Sequence, residues 1–254
     1  MIIDFHVHGK VTAQVSTAFG AEELEQKISE AKTEGLTAFA ITEHANCEKF
    51  FEAVDFLDKN YNYINQHYDV AGFRVYIGVE VFVSGDLDIT FVGEREYIKN
   101  LRNTVEQKRG KSRCIALSEL APLCDFDNSL VFLAHPFRRH ENFPDIDKNF
   151  LKKLDYIELN ASDIYKKGES VAKNEVYKLA KDLDLPVLGG SDAHHFIETG
   201  SIKNVFTDNC ETISEIKQQI KMGNFKVEIM PSLAVRKKSG KLIKRLLYPR
   251  ILIE

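Results

Sequence analysis

Short apolar runs alternate with amphipathic helical patterns along most of this 254-residue sequence, and this alternation constrains the fold more than any other feature. Alternating strand and helix units predict a sheet of parallel strands with helices packed outside it. Periodicity alone leaves open whether the sheet closes into a barrel or stays open and doubly wound. The predicted strands are Ile2–Val7, Ala38–Thr42, Arg74–Val83, Asp88–Val92, Leu130–Ala134, Tyr156–Leu159, Pro186–Gly189 and Ile202–Phe206. The predicted helices are Ala21–Glu34, Cys47–Asn60, Glu94–Lys108, Ile146–Lys153, Glu169–Asp182 and Glu211–Met222.

The composition is that of an ordinary globular protein, with 44% hydrophobic and 28% charged residues. A formal net charge of −4 gives no overall attraction for nucleic acid. The chain enters a predicted strand at once, without a signal-peptide pattern, and no apolar run approaches the roughly 18 residues of a membrane span. The four cysteines show no Cys-x-x-Cys spacing, which argues against a thiolate zinc site and favours the reducing cytoplasm.

Histidines and carboxylates follow the predicted strands. Examples are His6 and His8, Glu43 and His44, Glu80, His135, and the pair Asp192 and His194. Because the carboxyl ends of parallel strands converge on one face, side chains far apart in the sequence are expected to meet there. Imidazole and carboxylate ligands without thiolate suit zinc, manganese or iron(II). The pattern therefore predicts a metal cleft at the carboxyl ends of the strands.

Taken singly, each of these residues has an ordinary structural explanation. A His-x-His pair on a strand is often plain polar packing, and a histidine at a strand end is often just a hydrogen-bonded polar group. The full set favours metal binding, and Glu80 has two oxygens with which to bridge two ions. Metal pairs about 3.5–4 Å apart are the usual device for displacement at phosphorus. Asp4, which precedes His6 by two residues, is expected to support a ligand or to cap a loop.

Taken in order, the motifs resemble those of the PHP (polymerase and histidinol phosphatase) family of metal-dependent phosphoesterases. They match its opening His-x-His, its Thr-Asp-His, its bridging glutamate, its His-Pro and its closing Ser-Asp-Ala-His. The corresponding segments are His6-Val7-His8, Thr42-Glu43-His44, Gly78-Val79-Glu80, His135-Pro136 and Ser191-Asp192-Ala193-His194. This resemblance covers residues 4–195.

The resemblance implies an α/β fold, a distorted (βα)7 TIM-like barrel over residues 1–230, whose cleft holds two or three divalent ions (zinc, manganese or iron). It implies that a hydroxide bridging the metals attacks phosphorus. The implied ligands are His6, His8, Glu80 and Asp192 for the first ion, Glu80 and His135 for the second, and His44 and His194 for the third.

The sequence departs from the family pattern at three places. Where the family has a further histidine or aspartate after its His-x-His, this chain has Ala13 and Gln14. Where the family commonly has a histidine on the strand after the glutamate, Asp88 and Thr90 stand nearby, and Asp88 is the tentative ligand. Glu43 replaces the usual aspartate.

Two arginines and an asparagine are candidates for binding substrate. Arg138 and Arg139 follow His135, and a guanidinium fork suits phosphate, although a surface basic pair is an equally good interpretation. Asn160 ends a predicted strand and is expected either to line the cleft or to cap the next helix. Lys166 and Lys167 are weaker candidates.

Residues 231–254 form a basic amphipathic segment that is expected to pack on the barrel. Its basic face has two interpretations: a solvated helix face, or a contact with anionic lipid, nucleic acid or a partner protein. The basic residues are Arg236, Lys237, Lys238, Lys241, Lys244, Arg245 and Arg250.

The leading functional hypothesis is hydrolysis of a small phosphorylated metabolite or nucleotide by a metal-dependent phosphoesterase. The missing ligands near Gln14 and Thr90 leave open a second hypothesis, a metal-binding module with little catalysis that acts on a partner through its basic tail. A third hypothesis is C–N bond hydrolysis of the amidohydrolase type. Those enzymes usually carry a bridging lysine, whereas Glu80 holds the corresponding place here.

Overall fold

The computed structural model describes residues 1–9 and 20–247, in which strands and helices alternate. The strands are β1 (Ile2–Val7), β2 (Ala38–His44), β3 (Asn62–Ile64), β4 (His67–Val70), β5 (Phe73–Val83), β6 (Leu87–Gly93), β7 (Leu130–Ala134), β8 (Tyr156–Asn160), β9 (Val187–Gly190), β10 (Ile202–Phe206) and β11 (Phe225–Ile229). The helices are α1 (Ala21–Thr33), α2 (Phe50–Asn60), α3 (Arg95–Arg109), α4 (Leu117–Leu120), α5 (Lys148–Leu151), α6 (Ala161–Lys167), α7 (Glu169–Leu183), α8 (Ile213–Met222) and α9 (Leu233–Leu247). None of these helices is both long and apolar enough to cross a membrane.

Seven strands, in the order β1-β2-β5-β6-β7-β8-β9, curve into a nearly closed barrel, which confirms the predicted TIM-like fold. Neighbouring strands are parallel, except that β6 runs antiparallel to both β5 and β7. The prediction of a parallel sheet is therefore wrong at β6. The physical reason is the short turn Ser84–Asp86 between β5 and β6, because a parallel neighbour needs a long crossover connection.

Asn204 of β10 joins the two ends of the barrel sheet. Its side chain accepts a hydrogen bond from Gly189 N at 2.7 Å, and its amide donates to the carbonyl oxygens of Gly189 at 2.9 Å and Ile3 at 3.2 Å. Nearer the cleft, a parallel bridge links Val7 to Ala193. One fully buried amide thus connects β10, β9 and β1.

β1 contains a β-bulge that turns its histidines inward. Asp4 pairs with Phe39 of β2, whereas Val7 pairs with Ile41, so β1 has one residue more than its partner over this stretch. Phe5 packs in the barrel interior, and the next residue, His6, also faces inward. Strict alternation would place these neighbours on opposite faces.

The barrel interior beneath the histidines is filled by aromatic residues. Phe132 and Tyr156 stack with ring centroids 4.4 Å apart, and Phe5 packs beside Tyr156. Ile213 and Ile216 of α8 belong to the same buried cluster, so α8 covers the end of the barrel opposite the histidines. The filled interior makes the barrel a rigid support for side chains at its open end.

Several elements differ from the sequence prediction. The second helix begins at Phe50 rather than Cys47, and the one predicted over Ile146–Lys153 is only the short α5. The β3–β4 hairpin, β11 and α6 were not predicted. The hairpin and β11 are largely amphipathic edge segments whose burial depends on distant neighbours, so local periodicity does not reveal them.

The carboxyl-terminal helix α9 packs against the barrel by specific contacts. Arg236 donates at 3.0 Å to Glu30 on α1 and also contacts Glu34, the residue that follows α1. Gly240 lies so close to Glu198 that a Cβ there would stand 2.6 Å from the carboxyl carbon. The predicted boundary at residue 230 stays a prediction.

The closure of the barrel can be tested at Asn204. In Asn204→Leu, the buried backbone groups of Gly189 and Ile3 lose their partners, and each such loss costs about 1–3 kcal/mol. We expect the free energy of unfolding, measured by urea denaturation, to fall by about 3 kcal/mol or more. The exposed control Asn100→Leu should change it by less than about 0.5 kcal/mol. Equal stability of the two variants would contradict this role of Asn204.

Candidate metal centre

The structure brings the seven predicted ligands together at the carboxyl-terminal end of the barrel. Potential ligand atoms lie within 4.8 Å of one another in three groups. The groups are His6, His8 and Asp192; His6, Glu80 and His135; and His8, His44 and His194. His6 and His8 each belong to two groups, so the groups share members and form one continuous cluster.

Glu80 lies at the centre of the cluster, where its two oxygens face four imidazoles. Oε1 is 2.8 Å from His135 Nε2 and 3.6 Å from His6 Nε2. Oε2 is 2.7 Å from His44 Nδ1 and 3.8 Å from His8 Nε2. Burial would raise the pKa of this carboxyl, but the neighbouring histidines hold it well below its usual value. Glu80 is therefore an anion whose oxygens point to different histidine pairs, as a bridging ligand requires.

Glu158 on β8 is a site residue that the sequence analysis missed. Its Oε1 lies 2.7 Å from His6 Nδ1, and its Oε2 accepts a hydrogen bond from His135 N at 2.9 Å. A carboxylate on Nδ1 fixes the ring orientation and leaves Nε2 available for a metal. The only sequence signal is an acidic residue inside the apolar strand Tyr156–Asn160, which matches no ligand motif.

Gly190 makes room for this pair. A Cβ at Gly190 would stand 1.8 Å from Glu158 Oε1 and 3.0 Å from His6 Cβ. A side chain at this position would force apart the carboxylate and the imidazole. The glycine before Ser191 is thus needed for close approach of β9 to β8 and β1.

His8 is held between two carboxylates. Its Nε2 is 3.0 Å from Asp192 Oδ1, and its Nδ1 is 3.5 Å from Glu43 Oε1. Burial raises the pKa of Glu43, but contact with His8 and His44 lowers it below its ordinary value overall. The glutamate that departs from the family pattern therefore lies behind His8, in the same relation as Glu158 to His6.

Asp4 supports the site through the backbone. Its Oδ1 accepts hydrogen bonds from His6 N at 3.2 Å and Ser191 N at 3.1 Å, and its Oδ2 accepts one from Gly200 N at 3.2 Å. Burial raises its pKa to about 6 against these hydrogen bonds. Asp4 ties β1 to the loop that carries Asp192.

Two of the candidate ligands have strained backbones. His135 has φ of 31° and Asp192 has φ of 51°, in the left-handed region that residues other than glycine seldom adopt. Such conformations persist where the surrounding structure enforces them, and they concentrate at functional sites. Here they turn both side chains into the cluster.

Burial and neighbouring charges shift the pKa values of His6, His44 and His194. Burial alone would lower the pKa of His6 and His44, but Glu158 and Glu80 raise that of His6 well above its usual value, and Glu80 raises that of His44 to about 9. Burial and the neighbouring His8 hold the pKa of His194 well below its usual value. In the metal-free protein, protons on His6 and His44 thus balance the buried carboxylates.

The donor set fits divalent cations. Buried atoms without a hydrogen-bond partner among the described residues include His6 Nε2, which lies 3.6 Å from Glu80 Oε1 and 3.7 Å from Asp192 Oδ1. Buried polar groups in proteins are normally paired. A buried imidazole nitrogen that faces two carboxylates is the pattern expected of a ligand for zinc, manganese or iron(II).

The predicted substrate-binding residues lie beside the cluster, where they are already paired. Arg138 donates at 2.6 Å to Asp192 Oδ2 and at 2.8 Å to Asn160 Oδ1. Asn160 caps α6 by accepting from Ser162 N, one of its two predicted roles. Arg139 contacts the Asp88 carboxylate and lies over the Phe82 ring.

Two other residues that depart from the family pattern, Asp88 and Thr90, lie next to candidate ligands. Asp88 Oδ2 is 3.6 Å from His135 Nδ1, but Asp88 belongs to none of the three groups. Thr90 is buried opposite Glu80 in the β5–β6 ladder, and its hydroxyl has no hydrogen-bond partner in the described part of the chain. Ala13 and Gln14 lie outside the described residues.

Lys237 of α9 supports the loop that carries Asp192 and His194. This buried lysine donates to the carbonyl oxygens of Ser191 at 3.0 Å and Asp192 at 3.2 Å, and lies 3.2 Å from Glu198 Oε1. Glu198 in turn accepts from His194 N at 3.0 Å. The basic segment therefore buries one of its charges against the site, which its sequence pattern does not reveal.

Comparison with known proteins places this site in a family. The PHP domain matches residues 4–232, which contain all the candidate ligands. No curated protein sequence matches the chain significantly. The structure resembles PsfC from Pseudomonas syringae PB-5123, with a TM-score of 0.74 and 16% identity over 97% of this chain and 98% of PsfC. It also resembles the lesion-specific endonuclease PfuEndoQ from Pyrococcus furiosus, with a TM-score of 0.60 and 20% identity over 89% of this chain and 58% of that protein. The match over residues 4–232 confirms the resemblance seen in the sequence: the chain belongs to the PHP domain family.

Proposed function

We propose that this protein is a metal-dependent phosphoesterase that hydrolyses a small phosphorylated metabolite or a nucleotide. The observation that carries the proposal is the position of Glu80, whose oxygens face two histidine pairs within a buried cluster of seven potential ligands. Membership of the PHP family supports hydrolysis as the reaction class. The free thiols of Cys114, Cys124 and Cys210 support a reducing, cytoplasmic location.

The proposed ligands are the seven predicted residues, and Asp88, which is paired with Arg139, is an eighth candidate. Divalent cations held there would lower the pKa of a bound water and neutralise negative charge on the phosphoryl oxygens. Glu158 and Glu43, which lie against the Nδ1 atoms, would keep Nε2 of His6 and Nε2 of His8 turned into the cleft. The centre is thus built to stabilise an anionic reacting group.

We propose two roles for Arg138. Its guanidinium holds Asp192 and Asn160 and lies at the edge of the cluster, where a phosphoryl oxygen would arrive. Its buried Nε makes no hydrogen bond among the described residues and lies 3.9 Å from Asp163 Oδ1. We propose that Arg138 both orients Asp192 and contacts substrate, while Arg139, paired with Asp88, acts farther out.

The proposal predicts metal-dependent release of phosphate. Protein reconstituted separately with manganese, zinc or iron(II) is assayed with p-nitrophenyl phosphate, bis-p-nitrophenyl phosphate, sugar phosphates and nucleoside monophosphates. We expect turnover of at least one substrate and a loss of about 100-fold or more in His8→Ala, because His8 belongs to two ligand groups. His67→Gln, at the distant start of β4, is the control and should keep its activity.

The absence of turnover with every metal across the panel would contradict the phosphoesterase proposal. Tightly bound metal without hydrolysis would then favour the metal-binding module. Hydrolysis of amides but not of phosphate esters would favour the amidohydrolase alternative.

Metal affinity should increase with pH. The raised pKa values of His6 and His44, the latter about 9, mean that both imidazoles are protonated in the metal-free protein at neutral pH. A metal must displace these protons, and their occupancy falls as the pH rises towards 9. Between pH 6 and 8 we expect affinity to rise by about tenfold per unit for each proton displaced. Titration calorimetry in two buffers of different ionisation enthalpy counts the protons, and a pH-independent affinity would contradict the assignment.

Glu158 should control metal affinity without binding the metal. Glu158→Gln removes the negative charge behind His6 Nδ1, and loss of such a partner typically weakens metal binding by about 10–100-fold. Titration with manganese or zinc measures the change. Glu169→Gln, which removes a surface charge paired with Lys173, is the matched control. Unchanged affinity in Glu158→Gln would show that His6 needs no carboxylate partner.

A further inference from the structure

A second pocket adjoins the metal centre on the side of Asp192 and His194. It lies between α6 and α9, and we call it the α6–α9 pocket. Its lining residues are Arg138, Ser162, Lys166, Asp192, His194, His195, Glu198, Lys237, Gly240, Lys241 and Lys244. Five of these side chains are basic and two are carboxylates, so the pocket carries an excess of positive charge.

The excess charge comes from three lysines that have no carboxylate partner among the described residues. Arg138 is paired with Asp192, and Lys237 with Glu198. Lys166, Lys241 and Lys244 form no ion pair within residues 1–9 and 20–247, and the Lys241 ammonium lies 4.3 Å from the centre of the Tyr165 ring. Burial, and then repulsion by Lys166 and Lys237, lowers the pKa of Lys241. An anion in the pocket would relieve this repulsion.

On the opposite side of the metal centre, two basic side chains have ion-pair partners. That cleft runs from His44 and Glu80 towards α3 and also contains basic residues. Arg109 there is paired with Glu106, and Arg139 with Asp88. Two of the three arginines in this cleft are thus neutralised by carboxylates and the third, Arg113, lies over the Phe82 ring, whereas all three lysines of the α6–α9 pocket lack a carboxylate partner in the described part of the chain.

We infer that the α6–α9 pocket binds a second phosphate group of the substrate, while the scissile phosphate lies on the metal centre. The inference rests on the proposed phosphoesterase function for the position of the scissile phosphate. Three unpaired ammonium groups suit a phosphate dianion better than a singly charged carboxylate, and the Ser162 hydroxyl adds a further hydrogen-bond donor. Two of the lysines belong to α9, which begins after the last residue matched by the PHP domain. The preferred substrate class is therefore a bisphosphorylated small molecule.

Three six-carbon probes distinguish a second phosphate from a carboxylate and from an uncharged group. They are fructose 1,6-bisphosphate, 6-phosphogluconate and fructose 6-phosphate. Each competes with p-nitrophenyl phosphate for the manganese-loaded protein, and the inhibition constant is measured. We expect the bisphosphate to bind about tenfold or more tightly than either other probe, because charge-assisted hydrogen bonds to a second phosphate are strong. In Lys241→Ala/Lys244→Ala this preference should fall to about twofold or less, while KM for p-nitrophenyl phosphate, which has one phosphate, changes little.

The double variant Lys178→Ala/Lys238→Ala is the matched control, since it removes two exposed charges that do not line the pocket and should keep the preference. Equal inhibition by all three probes, or a preference that persists in the Lys241/Lys244 variant, would overturn the inference. Equal preference for 6-phosphogluconate would overturn the assignment to phosphate.

A binding measurement separates this inference from the proposed function. Fructose 1,6-bisphosphate is titrated by calorimetry into metal-free protein, where the lysines remain and hydrolysis is not required. We expect binding to weaken by about tenfold in Lys241→Ala/Lys244→Ala and not in the control variant. This result would support the pocket even if no phosphate ester were turned over. Unchanged binding in the Lys241/Lys244 variant would overturn the pocket even if the metal centre were active.

Discussion

The buried carboxylate of Glu80 is the constraint on which the rest of the site depends. An unpaired charge in a protein interior is very costly, and within the described part of the chain the close contacts of Glu80 are with histidines of β1 and β2 and of the loops after β1 and β7. The strands must therefore bring these imidazole nitrogens within 3.8 Å of one side chain. The bulge in β1, the absent side chain at Gly190 and the closure by Asn204 all serve this convergence. A side chain at Gly190, for example, would disturb the metal centre through Glu158 and His6.

The sequence was sufficient to predict the parts of the site that are carried by local pattern. His6, Glu80, His135 and Asp192 each follow an apolar run, so their place at strand ends could be predicted from short segments. Glu158 could not, because a carboxylate within an apolar strand acquires its role only from the imidazole opposite it. The direction of β6 was also missed, since periodicity is the same for parallel and antiparallel strands. The features that could not be predicted are pairings between segments that lie far apart in the sequence.

The contacts of the carboxyl-terminal helix α9 could not be predicted from its sequence either. Its basic pattern suggested a solvated face, yet successive turns have different environments. Arg236 is paired with α1, Lys237 is buried under the Asp192 loop, and Lys241 faces the cleft without a carboxylate partner. Gly240 allows the helix to lie against Glu198, which sets the depth at which these side chains enter. One helix therefore both supports the candidate ligands and supplies charge beside them.

The two sides of the metal centre differ in how their cations are paired. On the α3 side, Arg109 and Arg139 are neutralised by carboxylates, and Phe82 offers an aromatic surface beneath Arg113 and Arg139. On the α9 side, the unpaired lysines favour anions. In the binding mode inferred above, a bisphosphorylated substrate extends from the metal centre towards α9, because Arg109 and Arg139 on the α3 side already have carboxylate partners. Orientation of this kind depends on which cations are already paired rather than on how many there are.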